Sequence, residues 1–191
     1  QIVECLRDGG LIIYPTDTVY GLGCDIFNKQ AVERVCQLKG VKLQKMNFSF
    51  ICSDLSNISD YTMNVSTPTY KLMKRCLPGP YTFILRANNA VPKLFKNNKK
   101  TVGIRVPDNP ITRTIVQELG HPILTTSVHH EDDIIDYITE PSAIFERYEN
   151  LVDIVIDGGT GGYHPSTIID CTEDEPIVVR EGAGEVEDLF Y

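Results

Sequence analysis

Residues 9–25, Gly-Gly-Leu-Ile-Ile-Tyr-Pro-Thr-Asp-Thr-Val-Tyr-Gly-Leu-Gly-Cys-Asp, constrain the fold more than any other stretch of the chain. The apolar run Leu11–Tyr14 has the length and β-branched content of a buried strand. Pro15 lacks a backbone donor and restricts the residue before it, so the strand stops there. A tight polar segment follows, Thr16, Asp17 and Thr18, and then Tyr20 beside Gly21 and Gly23. The two glycines admit backbone angles or close approaches that a side chain forbids. A polar loop at the end of a strand is where open α/β sheets place their ligands. The plainer alternative is a hydroxyl-rich turn whose side chains satisfy their own backbone.

Strands and helices alternate around this stretch. A helix over 2–8 ends at Gly9-Gly10, and Asn28 caps a second that turns Ala31, Val32, Val35, Cys36 and Leu38 to one face before Lys39-Gly40. A strand over 47–52 precedes a helix opened by Ser66 or Thr67 with Pro68, which carries Leu72, Met73 and Cys76 inward. Pro78-Gly79-Pro80 launches a strand over 81–87, and a lysine- and asparagine-rich loop over 96–100 leads into a strand over 101–107. Asn109-Pro110 and Gly120 bound a helix, 122–126 reads as a strand, 141–148 as a helix and 151–156 as a strand. A glycine loop, 157–162, and a hairpin of 167–171 with 177–180 complete the chain. This order indicates one α/β domain over 1–191 with a twisted, open, mixed sheet.

A chain of 191 residues, 42% apolar and 23% charged, can bury a substantial core. The formal net charge of −8 sets the surface as a whole against nucleic acid and anionic membrane. No apolar run approaches the length of a membrane span. The cysteines at 5, 24, 36, 52, 76 and 171 are scattered singly, with no Cys-x-x-Cys pair. Reduced core thiols of a cytoplasmic protein are therefore expected, rather than a disulfide frame or a zinc site.

Thr16, Lys39, Lys42, Arg105, Ser127, Ser166 and Arg180 all fall at strand or helix ends. If those ends converge, they form a cleft of cations and hydroxyls inside an acidic protein, suited to a small anion and above all to phosphates. The 158–162 loop lacks the Lys-Ser/Thr that completes a phosphate loop, and no Gly-x-Gly-x-x-Gly opens the first helix. Each residue has a plainer reading. Lys39 and Lys42 follow a helix C-terminus, where cations are favourable anyway. Arg180 could pair with the acidic 173–175 turn, and Lys96, Lys99 and Lys100 suit a surface turn. Arg105 sits among apolar neighbours before a proline, an odd place for a merely solvated arginine. His129, His130, Glu131, Asp132 and Asp133 are consecutive and cannot easily face one ion, so they read as a loop or lid.

Taken together, Tyr14-Pro-Thr-Asp-Thr-Val-Tyr-Gly-Leu-Gly23, Leu38-Lys-Gly40, Pro78-Gly-Pro-Tyr-Thr-Phe83, Gly103-Ile-Arg-Val-Pro107, Ser166-Thr-Ile-Ile-Asp170 and Val179-Arg-Glu-Gly182 form an ordered set over nearly the whole chain. The set resembles the YrdC/YciO family, and Asn47–Cys52, Asn109-Pro-Ile111 and Val178-Val-Arg-Glu-Gly-Ala183 resemble its YciO branch. The resemblance implies a YrdC-like fold with a large concave cleft. It also implies synthesis of threonylcarbamoyl-AMP from threonine, bicarbonate and ATP with release of pyrophosphate, a step toward tRNA threonylcarbamoyladenosine. On this basis Thr16, Arg105 and Ser166 hold threonine. Lys39, Lys42, Thr101, Ser127 and Arg180 hold ATP, with Lys39, Lys42 and Ser127 catalytic. Mg²⁺ is implied with ATP but not by a recognisable protein motif.

Two motifs depart from the synthases. Their Lys-x-Arg becomes Lys39-Gly-Val41, with Lys42 one position late, and their Ser-x-Asn becomes Ser127-Val-His129. A lysine cannot copy a bidentate guanidinium contact, so weak or altered activity is implied, or a different acceptor substrate. A double-stranded RNA-binding module is the competing reading from another class. The net charge of −8 weighs against it, and it predicts a strong dependence on salt.

Overall fold

The structure, a computed structural model, describes residues 1–46, 48–96, 98, 100–128 and 137–191. Asn47, Lys99 and the sequence-predicted loop residues His129, His130, Glu131, Asp132 and Asp133 lie outside the described residues.

Nine strands form one open mixed sheet: β1 Ile12–Tyr14, β2 Gly21–Asp25, β3 Ser49–Ile51, β4 Tyr81–Arg86, β5 Thr101–Arg105, β6 Ile123–Ser127, β7 Ile154–Val155, β8 Thr167–Asp170 and β9 Ile177–Arg180. Their order is β7-β1-β2-β6-β3-β5-β4-β8-β9. The pairs β1–β7, β3–β5 and β4–β8 are parallel and the others antiparallel. The helices are α1 Ile2–Arg7, α2 Lys29–Leu38, α3 Thr67–Cys76, α4 Ala90–Phe95, α5 Pro110–Leu119 and α6 Pro141–Tyr148. Capping sets three helix starts as the sequence expects. Asn28, Ser66 and Asn109 accept hydrogen bonds from the backbone N–H groups of Ala31, Thr69 and Ile111 respectively. Gly120 ends α5 at a φ of 91°, a conformation open to glycine.

Strand alternation divides the molecule into two unequal halves. Leu11, Ile13, Phe50, Phe83, Leu85, Val102, Ile104 and Leu124 enter a large core that also takes the apolar faces of α2, α3 and α4. On the other face Ile12, Tyr14, Ile51 and Ile123 meet Leu6 of α1 and Ile115, Val116 and Leu119 of α5. Those two helices cover only one end of that face, and a cleft lies over the remainder.

Residues 21–25 were expected within a polar loop but are a buried strand. The glycines explain why a weak strand sequence is tolerated there. The Tyr14 ring lies across β2, and a Cβ at Gly21 or Gly23 would come within 2.8 or 2.9 Å of it. Over that glycine stripe the Tyr14 hydroxyl reaches β6 and donates to the Thr125 hydroxyl. Gly23→Ala would also drive its methyl into the Leu124 carbonyl oxygen, which is backbone and cannot give way. We expect a loss of about 1–3 kcal/mol in chemical denaturation.

Two smaller differences have local causes. Helix α4 was not among the expected elements; its Pro92 falls in the first turn, where proline is accommodated, and burial of Val91 and Phe95 holds the segment. The strand expected over 151–156 pairs only at Ile154–Val155. The Asp153 carboxylate instead accepts from the Leu11 N–H and from Arg34, turning the chain before the ladder begins. The six cysteines are free thiols, four of them buried, and burial pushes the Cys52 thiol up to about 12, out of the reactive range. No helix among the described residues is long and apolar enough to cross a membrane.

Candidate functional site

On the uncovered part of the sheet face, residues of seven strands, β2 to β6, β8 and β9, line one cleft of about 320 Å³. β5 supplies Thr101, Gly103 and Arg105; β4 supplies Thr82 and Ile84; β6 supplies Thr125 and Ser127. Ser49 of β3 lies in the floor, and Ser166, Ile168, Val179 and Arg180 form the far wall. Thr18, Val19 and Tyr20 close the near side. The partners in between, Val102, Ile104, Phe83 and Leu124, face the core. Gly103 deepens the floor, since a Cβ there would crowd Ser49 and stand 3.3 Å from the Thr82 methyl.

Of the sequence-predicted residues, Thr101, Arg105, Ser127, Ser166 and Arg180 come together in this wall. Lys39, the residue closing α2, is not itself a lining residue but reaches one, its ammonium donating to the Ser127 carbonyl at 2.8 Å. It thus reaches β6 instead of serving its own helix end, and burial holds its pKa below the ordinary lysine value. Arg180 donates from Nε and Nη2 to the Ser166 carbonyl, at 3.1 and 2.7 Å. The acidic turn does not take it, because Glu173 pairs with Arg86 at 2.9 Å. Ser166 and Thr82 share a hydroxyl–hydroxyl hydrogen bond of 2.7 Å.

Two further predicted residues are not brought into the wall either. The Thr16 hydroxyl donates to the Val19 carbonyl at 2.7 Å and accepts from the Thr18 N–H at 3.0 Å, stabilising its own loop, and Thr18 lines the cleft in its place. Lys42 is exposed and outside the lining residues.

Asp17 was not singled out from the sequence. Its Oδ1 accepts from Arg105 Nη2 at 2.9 Å, and its Oδ2 accepts from the Asp108 N–H at 2.9 Å. The ion pair is deeply placed, with side chains 9% and 10% exposed. Burial lowers the Arg105 pKa from its ordinary value, and Asp17 opposes that shift, so the guanidinium stays charged. The glycine loop has no free cradle for phosphate. The N–H groups of Gly158, Gly159, Gly161 and Gly162 go to the Tyr20 hydroxyl, Asp157, Thr139 O and Thr18 O. No group of three or more metal-ligating side chains occurs among the described residues.

With this geometry in place, the comparisons with known proteins are informative. The Sua5/YciO/YrdC family model, described as Telomere recombination, matches residues 4–182. The chain is 44% identical over 188 residues to YciO of Escherichia coli (strain K12), described as uncharacterized, covering 98% of this chain and 90% of YciO. The E. coli YciO crystal structure superimposes with a TM-score of 0.88 at 43% identity, covering 99% of this chain and 90% of that one. Threonylcarbamoyl-AMP synthase of Coxiella burnetii (strain RSA 493 / Nine Mile phase I) is 30% identical over 167 residues, covering 87% of this chain and 88% of the synthase. P. abyssi Sua5 complexed with L-threonine superimposes with a TM-score of 0.88 at 27% identity, covering 98% of this chain and 54% of Sua5.

Proposed function

The chain belongs to the Sua5/YciO/YrdC family, and from that premise we propose that it is a nucleotidyltransferase of the L-threonylcarbamoyladenylate synthase type. The observation that carries the reading is a pair of cations at the cleft. Lys39 and Arg180 are both held by neutral carbonyls and form no ion pair among the described residues. Their positive charge remains available to an anion, and they stand at opposite sides of the cleft, one at Ser127 and one at Ser166.

Threonine's amine combines with bicarbonate to give a carbamate and water. A carbamate oxygen then forms a bond to the α-phosphorus of ATP, and the bond to the leaving pyrophosphate breaks. Repulsion between anions is the main barrier to that approach, and Lys39 and Arg180 lower it by neutralising the phosphates. Arg105 presents a planar donor to the amino-acid carboxylate, and the hydroxyls of Ser166 and Thr18 orient the remainder. Mg²⁺, where it accompanies ATP, would enter on the nucleotide phosphates as part of the substrate.

A different acceptor amine is the second reading, and the position of Lys42 favours it. This lysine lies outside the cleft, so it does not replace the missing guanidinium of the synthase motif. The test is pyrophosphate release from ATP and bicarbonate, with threonine and with a panel of other amino acids and amines. Release that requires threonine is the expected result. Release dependent on another amine selects the second reading, and ATP binding without release under any of them rejects both.

A further inference from the structure

We propose that Asp17 is the positioning residue of the amino-acid side of the cleft: it fixes where the Arg105 guanidinium stands without itself touching substrate. The proposal rests on the reading of Arg105 as the partner of the substrate carboxylate. Arg105 lines the cleft, whereas Asp17 lies behind it. Asp17 has three ties that define its place. One oxygen takes Arg105, the other takes the backbone of Asp108 beyond the end of β5, and the loop carrying it is bound to α5 where the Thr112 hydroxyl donates to the Pro15 carbonyl. The carboxylate therefore joins the β1–β2 loop to the strand that bears the arginine.

The guanidinium is incompletely satisfied in this arrangement. Nε and Nη2 form the edge that a carboxylate can bridge with both oxygens. Here Asp17 engages Nη2 alone, because its second oxygen is committed to Asp108, and Arg105 Nε is buried without a hydrogen-bond partner. A buried donor left without a partner calls for an explanation. The geometry explains it through Asp17: with its second oxygen committed to Asp108, the carboxylate holds the charge and the direction of Arg105 through Nη2 alone. A residue with this role acts on amino-acid affinity and leaves the nucleotide cations, Lys39 and Arg180, untouched.

Asp17→Asn keeps the side-chain shape and an oxygen for the Asp108 N–H but removes the charge that aims Arg105. Calorimetry of the full chain with threonine and, separately, with ATP reads the two halves of the site. The expected result is threonine affinity weakened by about tenfold or more, since small misplacements of a positioning group are costly, with ATP affinity changed by less than about twofold. Unchanged threonine affinity, or an equal loss for ATP, overturns the proposal. The Arg105 Nε–H resonance of the native protein gives a second readout that needs no variant. It should shift saturably with threonine, and a threonine complex that leaves it unmoved overturns the proposal while sparing the synthase reading. Native protein that binds no threonine overturns both.

Discussion

Lys39→Met should lower threonine-dependent pyrophosphate release by about a hundredfold or more, in line with the removal of one preorganised donor from a charged transition state. The ammonium is carried by the end of α2 to the carbonyl of Ser127, and it forms no ion pair among the described residues. Methionine fills similar space but supplies no charge, so the loss falls on the phosphate side: ATP affinity and turnover drop and threonine affinity holds. Stability should move the other way. Because burial lowers its pKa, the folded chain holds this charge less readily than the unfolded chain does. That cost is fully present at neutral pH, and it is relieved as pH rises through the lowered pKa toward the ordinary lysine value. The variant should therefore melt at or above the wild-type temperature at pH 7, with the gap narrowing under alkaline conditions. Scanning calorimetry at the two pH values checks this, and a markedly lower melting temperature for Lys39→Met at pH 7 would contradict it.

Much of this cleft is legible in the pattern of the strands. Thr101-Val-Gly-Ile-Arg105 alternates small or polar with apolar residues, and so do Thr82-Phe83 and Phe48-Ser49-Phe50, whereas Thr125-Thr126-Ser127 is polar throughout. An alternating strand has one buried and one accessible face, so the pattern marks a polar sheet face as well as naming its residues. Alternation marks Thr82 and Ser49, which are not at strand ends of the motif set, but not Thr125, which has polar neighbours on its C-terminal side. The motif residues that lie at strand ends, Ser127, Ser166 and Arg180, were found for the same geometric reason that ligands collect there.

What stayed hidden depends on contacts distant in sequence. Nothing local to residues 21–25 announces a strand, because the glycines are there to admit the Tyr14 ring from the neighbouring strand. Choosing between Thr16 and Thr18 requires knowing which hydroxyl the turn itself consumes, a matter settled by hydrogen bonds two and three residues away. Asp17 and Arg105 are 88 residues apart, and only the packing of the first loop against β5 and α5 makes them a pair. Arg180 shows the same limit in reverse. The acidic turn is its sequence neighbour, yet the hairpin hands Glu173 to Arg86 and turns Arg180 back to Ser166.

The buried pair also makes the second large effect. Arg105→Met should cost about 3–5 kcal/mol, because it strands the Asp17 carboxylate in a site only 10% exposed, with a single backbone N–H as partner. For a chain of this length that corresponds to a fall in melting temperature of about 6–20 °C. The penalty is asymmetric. Asp17→Asn leaves an amide oxygen for the Asp108 N–H and a neutral partner for Arg105, whereas Arg105→Met leaves the carboxylate charged with one backbone partner. Asp17→Asn should accordingly destabilise less than Arg105→Met. Combining the two should recover most of the lost stability, since replacing both charges of a buried pair is far cheaper than removing one. Threonine binding should not return with it. A double variant that melts no higher than Arg105→Met would mean that the stranded charge is not the cause. Recovery of the fold without recovery of threonine binding separates what the arginine does for the structure from what it does for the ligand.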